Sequence, residues 1–87
     1  MLDNARVIEF AWSDSPFGDV KDTDGVLVAM IHGLAICQYE NSRVVYRFSC
    51  DKTWEVISDV DYDSIEQAKA WLPDQYRRAP ADWQSFS

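Results

Sequence analysis

Asp59, Asp61 and Asp63 alternate along the chain, so on an extended segment their carboxylates converge on one side, as a hard cation or a catalytic metal would need. The same spacing also suits residues that end a strand and cap the following helix. No His or Glu identifiably completes a ligand set around them, and the capping reading is preferred. A small metal-dependent module or enzyme built on these three aspartates is the alternative. A second acidic stretch, residues 19–25, places Asp22, Asp24 and Gly25 at three positions of a calcium loop of the EF-hand kind. Val20 would occupy the first ligand position and Ile31 that of the bidentate glutamate, with no helix expected on either side. The stretch therefore reads as an Asp-Gly turn before a strand.

His32 is the only histidine, so Cys-His or Ser-His chemistry would have to pair it with Cys37, Cys50 or a serine. It is expected at a hairpin tip, whereas both cysteines fall within apolar, strand-like stretches. Buried thiols acting as small hydrophobes are expected, not a disulfide. Two Cys and one His lack the paired spacing and the fourth ligand of a zinc site. Without a nucleophile elbow or a Gly-rich phosphate loop, no catalytic residue, metal or other cofactor is expected.

Charge is more informative than these motifs. Across 87 residues, 15 Asp and Glu oppose 8 Lys and Arg for a net charge of -7, a balance that phosphate backbones repel. Nucleic-acid binding is disfavoured on that ground. Residues 13–25 hold four Asp and one Lys, and residues 51–66 hold six acids and one Lys, while 26–50 is nearly neutral. Acidic segments beside Phe17, Trp54 and Tyr62 suit docking onto a basic protein surface.

The elements that position these groups follow from patterning. Residues 6–12 alternate as a strand, with Ile8, Phe10 and Trp12 on one face and Val7, Glu9 and Ala11 on the other. Residues 13–25 read as a long loop. Residues 26–31 and 34–40 read as strands joined by a tight turn at His32-Gly33. A single helix over 26–40 would be apolar all round and carry Gly33 in its middle, so the strands are preferred. Turns at Asn41-Ser42 and Asp51-Lys52 separate further strands over 43–50 and 53–58. Ser64 followed by Gln67, or Asp63 followed by Glu66, forms a capping box, and Ile65, Ala68 and Leu72 form the buried stripe of a helix that stops near Pro73. An irregular helical turn around Tyr76 and a tail with Trp83 and Phe86 complete the chain.

The expected fold is α+β: one globular domain over residues 1–87, with a mostly antiparallel sheet of four to five strands and one C-terminal helix packed on one face. Counting from two-residue turns places Val26, Val28, Met30, Ala35, Cys37, Tyr39, Val44, Tyr46, Phe48, Cys50 and Ile57 on the face expected to meet the helix. The opposite face collects Leu27, Ala29, Ile31, Leu34, Ile36, Val45, Trp54 and Val56 and is too apolar to be left to solvent. Either the first strand and the tail cover it, or it forms an interface with a partner or a second copy.

The leading expectation is a small acidic, non-catalytic protein-binding module, inhibitor-like or self-associating. Its interface candidates are Leu27, Ile31, Leu34, Ile36 and Trp54, with Asp19, Asp22, Asp24, Asp59 and Asp61. Residues 1–6 show no basic region followed by an apolar run, and no stretch approaches the ~20 apolar residues of a membrane helix, so no membrane partner and a cytoplasmic location are expected.

Overall fold

The computed structural model describes residue 2 and residues 4–86. Met1, Asp3 and Ser87, at the ends of the leader and tail readings, lie outside the described residues. Along the chain come β1 (Arg6–Trp12), β2 (Gly18–Lys21), β3 (Leu27–Ile31), β4 (Gly33–Gln38), β5 (Val45–Cys50), β6 (Val56–Tyr62), the helix α1 (Ile65–Ala70), a 3-10 turn (Asp74–Tyr76) and a short β7 (Gln84–Ser85). Five strands form an antiparallel sheet in the order β6-β5-β4-β1-β7, β2 and β3 form a separate two-stranded sheet, and α1 packs on the larger sheet. The fold is α+β, as the patterning indicates.

The tight turn expected at His32-Gly33 is absent, and β3 and β4 are not partners. The His32 backbone explains this: its N–H donates to the Cys50 carbonyl and its carbonyl accepts from the Ser13 N–H, so the residue extends a ladder on both sides instead of reversing the chain. Residues 6–38 therefore make one long hairpin. β1 pairs with β4 as far as Trp12 opposite Gly33, residues 13–17 bulge out, and β2 pairs with β3 from Gly18 opposite Ile31. The expected long loop over 13–25 thus contains a strand. At the tip, one Asp22 carboxylate oxygen accepts from the N–H groups of Asp24 and Val26, and Gly25 adopts a φ of 79°.

Counting from Asn41-Ser42 gives the observed β4–β5 register, with Gly33 opposite Cys50 and Cys37 opposite Tyr46. The next connection is longer than the expected Asp51-Lys52 turn. One Asp51 carboxylate oxygen accepts from the Thr53 N–H, the Thr53 hydroxyl and the Glu55 N–H, and holds a wider loop. The last strand of the pair consequently runs over Val56–Tyr62 and not 53–58. A bulge at Val7/Glu9 also resets β1: Ile8 joins the helix side, while Phe10 and Trp12 stay on the other.

The helix packs on the face opposite to the one expected. Ile36 and Val45 are buried against Ala68 with Ile8, Tyr62, Ile65 and Trp83, and Leu34, Ala11, Phe17 and Ile31 are buried with Tyr76 and Ala79. The apolar face that the patterning marks as needing a cover receives the helix, the 3-10 turn and Trp83. Ala35, Cys37, Phe48 and Cys50 lie buried on the reverse face beneath Leu2, Val7, Tyr39, Tyr46, Trp54 and Val56. Large side chains at the margins can close that face without a second helix.

Polar groups fasten α1 at both ends. Ser64 caps its N-terminus by accepting from the Gln67 N–H, and Gln67 Oε1 accepts from the Asp63 N–H. At the other end the buried Arg47 of β5 donates to the carbonyls of Ala68 and Trp71 at 3.2 and 3.3 Å, with its guanidinium 5.1 Å from the centre of the Tyr62 ring. A cation at a helix C-terminus meets the negative end of the dipole, so Arg47 both satisfies carbonyls and orients the helix. Lys69 pairs with Glu9 of β1 at 2.6 Å.

Candidate functional site

The apolar interface candidates separate into two groups. Ile31, Leu34 and Ile36 are fully buried within the chain. Leu27 is exposed, and its neighbours join it: Val26 is 60% exposed, Leu27 52%, Val28 59% and Met30 40%. Residues 21–28 form one unbroken exposed run around the hairpin tip. Assigning Val26, Val28 and Met30 to the helix face concealed this patch. A cue was present in the sequence: the apolar run begins directly after an Asp-Gly turn, so its first residues lie at a hairpin tip, beyond the reach of a covering element.

The local geometry accounts for the exposure. The base of the arm is anchored, because Phe17 and Ile31 enter the core and the Phe17 carbonyl accepts from the Arg78 N–H. β5 flanks β4 only as far as Cys50, after which the chain turns away through the Asp51 loop. Among the described residues no strand pairs with the edge of β3 remote from β2. Along most of its length that edge borders the Asp51 loop without pairing to it: Val28, Ala29, Met30 and His32 line a shallow depression with Asp51, Lys52 and Thr53.

Trp54 is half-buried on the reverse face, at a φ of 64°. Its ring lies so close over Gly33 that a Cβ there would come within 2.7 Å of it. It also packs against Trp12, at 5.5 Å between centroids, and edge-on to Phe10. Leu2, Val7, Phe10, Ala35, Trp54 and Phe86 surround a hollow of about 360 Å³ beside it. Trp54 is linked to the base of the β3 patch through its neighbours, since it packs on Trp12, Trp12 packs on His32, and His32 lines a depression with Val28 and Met30.

The acidic candidates are similarly divided. Asp19 forms an ion pair with Arg78 at 2.9 Å, and its other carboxylate oxygen is buried without a hydrogen-bond partner among the described residues. Asp22 folds the hairpin tip, and Asp24 is exposed there. Asp59 and Asp61 lie inside β6, opposite Phe48 and Tyr46, on the edge strand far across the sheet order from β1. They are exposed within a strand and do not end it, and Ser64 supplies the helix cap. Among the described residues no three His, Cys, Asp or Glu side chains gather as a metal ion would require.

His32 is engaged with the hairpin itself. The Ser13 carbonyl, 3.0 Å from Nδ1, assigns the proton to that nitrogen, and the ring packs on Trp12. Cys37 and Cys50 are buried free thiols. Burial pushes Cys37 up from the ordinary 9.0 to about 11 and Cys50 to about 12. Thiols held that high carry almost no thiolate near neutral pH and are poor nucleophiles. No helix of the described residues is long and apolar enough to cross a membrane. Comparison with protein families, with curated proteins and with solved structures finds no match for this chain.

Proposed function

We propose that this chain is a small acidic, non-catalytic protein-binding module whose binding element is the β2–β3 arm. One observation carries the reading: a run of large apolar side chains stands in solvent on an anchored two-stranded arm, with an unpaired strand edge behind it. Contiguous apolar surface of this kind marks interaction sites, and a bare strand edge is a template for a partner's backbone. Asp24 at the tip and the net charge of -7 bias the choice of partner against acidic surfaces. Phosphate-bearing polymers are poor partners for the same reason.

The test is site-specific photo-cross-linking in living cells, with a benzophenone side chain in place of Val28 and, as a control, in place of the exposed Glu66 on α1. A discrete adduct at position 28, absent at 66, supports the reading. No adduct at 28, or equal adducts at both positions, overturns it.

A further inference from the structure

Resting on that reading of the arm, we infer that the partner of the β3 edge is a second copy of this chain, paired antiparallel across a two-fold axis so that two ribbons become one four-stranded sheet, β2-β3-β3-β2. Three observations converge on this occupant. A two-stranded ribbon is marginal in water by itself, and this one is a sheet of its own that is held only at its base, where Phe17 and Ile31 enter the core. Residues 26–31, Val-Leu-Val-Ala-Met-Ile, contain none of the lysines, prolines or inward charges that usually blunt a bare edge. They are also free of like charges that would face each other across a self-paired strand.

The charges flanking the strand select the direction. In an antiparallel pair the tip of one arm meets the base of the other. Asp24 at the tip then approaches the depression at the partner's base, where Lys52 stands beside Asp51, Thr53 and His32. A parallel pair would instead set tip against tip, Asp24 beside Asp24. The rest of the molecule opposes association, since each copy carries -7. Salt screens such long-range repulsion and leaves apolar contact and backbone pairing in place. Self-pairing through β3 therefore strengthens as salt is added, whereas docking of the acidic surface on a basic protein weakens.

The experiment is the solution mass of the full chain by light scattering over a range of concentrations, in low and in high salt. The expected result is a rise from 10.0 kDa towards twice that value, reached at lower concentration in high salt. Val28→Lys, a change at an exposed position, is expected to hold the mass at 10.0 kDa with an unchanged circular dichroism spectrum. Lys52→Asp is expected to lower the dimer fraction, and Asp24→Lys combined with Lys52→Asp, which restores the charge of -7, to recover it.

A wild-type mass fixed at 10.0 kDa overturns the inference, as does a dimer that salt dissolves or that Val28→Lys leaves intact. Failure of the double variant to recover overturns the antiparallel arrangement. A monomer that still gives a specific photo-adduct of other mass at position 28 defeats self-pairing and leaves the arm as a binding element. A monomer without any adduct defeats both.

Discussion

Replacing Arg47 with Met tests whether a buried cation holds the helix on the sheet. Arg47 is almost fully buried and donates to the carbonyls of Ala68 and Trp71. Hydrogen bonds from charged donors contribute about 1.5–3 kcal/mol each, and lengths of 3.2 and 3.3 Å place these near the lower end. The Tyr62 face adds ~1 kcal/mol of cation–π attraction. Against this stands the desolvation of the guanidinium, several kcal/mol, made worse because Nε has no acceptor among the described residues. Met fills similar space and removes that penalty. It also strands the buried Ala68 carbonyl, while Trp71 keeps the Tyr62 hydroxyl as a donor. One stranded acceptor costs about 1–3 kcal/mol, so the expected net loss is ~2 kcal/mol. For a domain of this size that lowers Tm by roughly 8–16 °C in thermal unfolding followed by circular dichroism. Amide exchange across α1 should accelerate more than across β4. An unchanged or raised Tm for Arg47→Met would mean that desolvation outweighs the carbonyl bonds and that Arg47 does not hold the helix.

Gly33→Ala is expected to cost about 1–3 kcal/mol, because the added methyl enters the space of the Trp54 ring; tryptophan fluorescence should shift with it, and an unchanged spectrum with unchanged urea midpoint counts against the close approach. Ile36→Glu should leave the chain unfolded by circular dichroism, since it buries a lone carboxylate beneath the helix, whereas Leu27→Glu should fold normally. Raised thiol values in the folded state mean that the unfolded chain loses its protons first as pH rises. The contribution of Cys37 and Cys50 to stability is thus intact below about pH 9 and falls as pH climbs towards about 11 and then about 12. Urea midpoints measured across that range for wild type and a Cys37→Ala, Cys50→Ala double variant check this, the variant being expected to lose less. Equal slopes would remove the thiols as the cause.

Much of the local architecture is legible in the chain because it depends on neighbours in sequence. Ser64 and Gln67 announce the start of α1, the bounds of β1 follow from alternation at residues 6–12, and the β4–β5 register follows from counting around Asn41-Ser42. The burial of both thiols could be read from the apolar stretches that contain them. What no local pattern settles is which ladder a strand joins. His32-Gly33 looks like a turn in sequence, and only hydrogen bonds to Cys50 on one side and Ser13 on the other keep the chain extended there. That single difference converts an expected loop into β2 and carries half of an apolar run out of the core and into solvent. The side of the sheet that α1 covers was likewise decided at a distance, by the fit of Ala68 over Ile36 and Val45 and by the Arg47 side chain reaching the end of the helix. Sequence by itself determined β1, the β4–β5 hairpin, the start of α1, the acidity and the apolar content of this protein. Tertiary structure alone decided which apolar residues are left over, because exposure at Val26, Leu27, Val28 and Met30 depends on where β5 ends and not on any property of those residues.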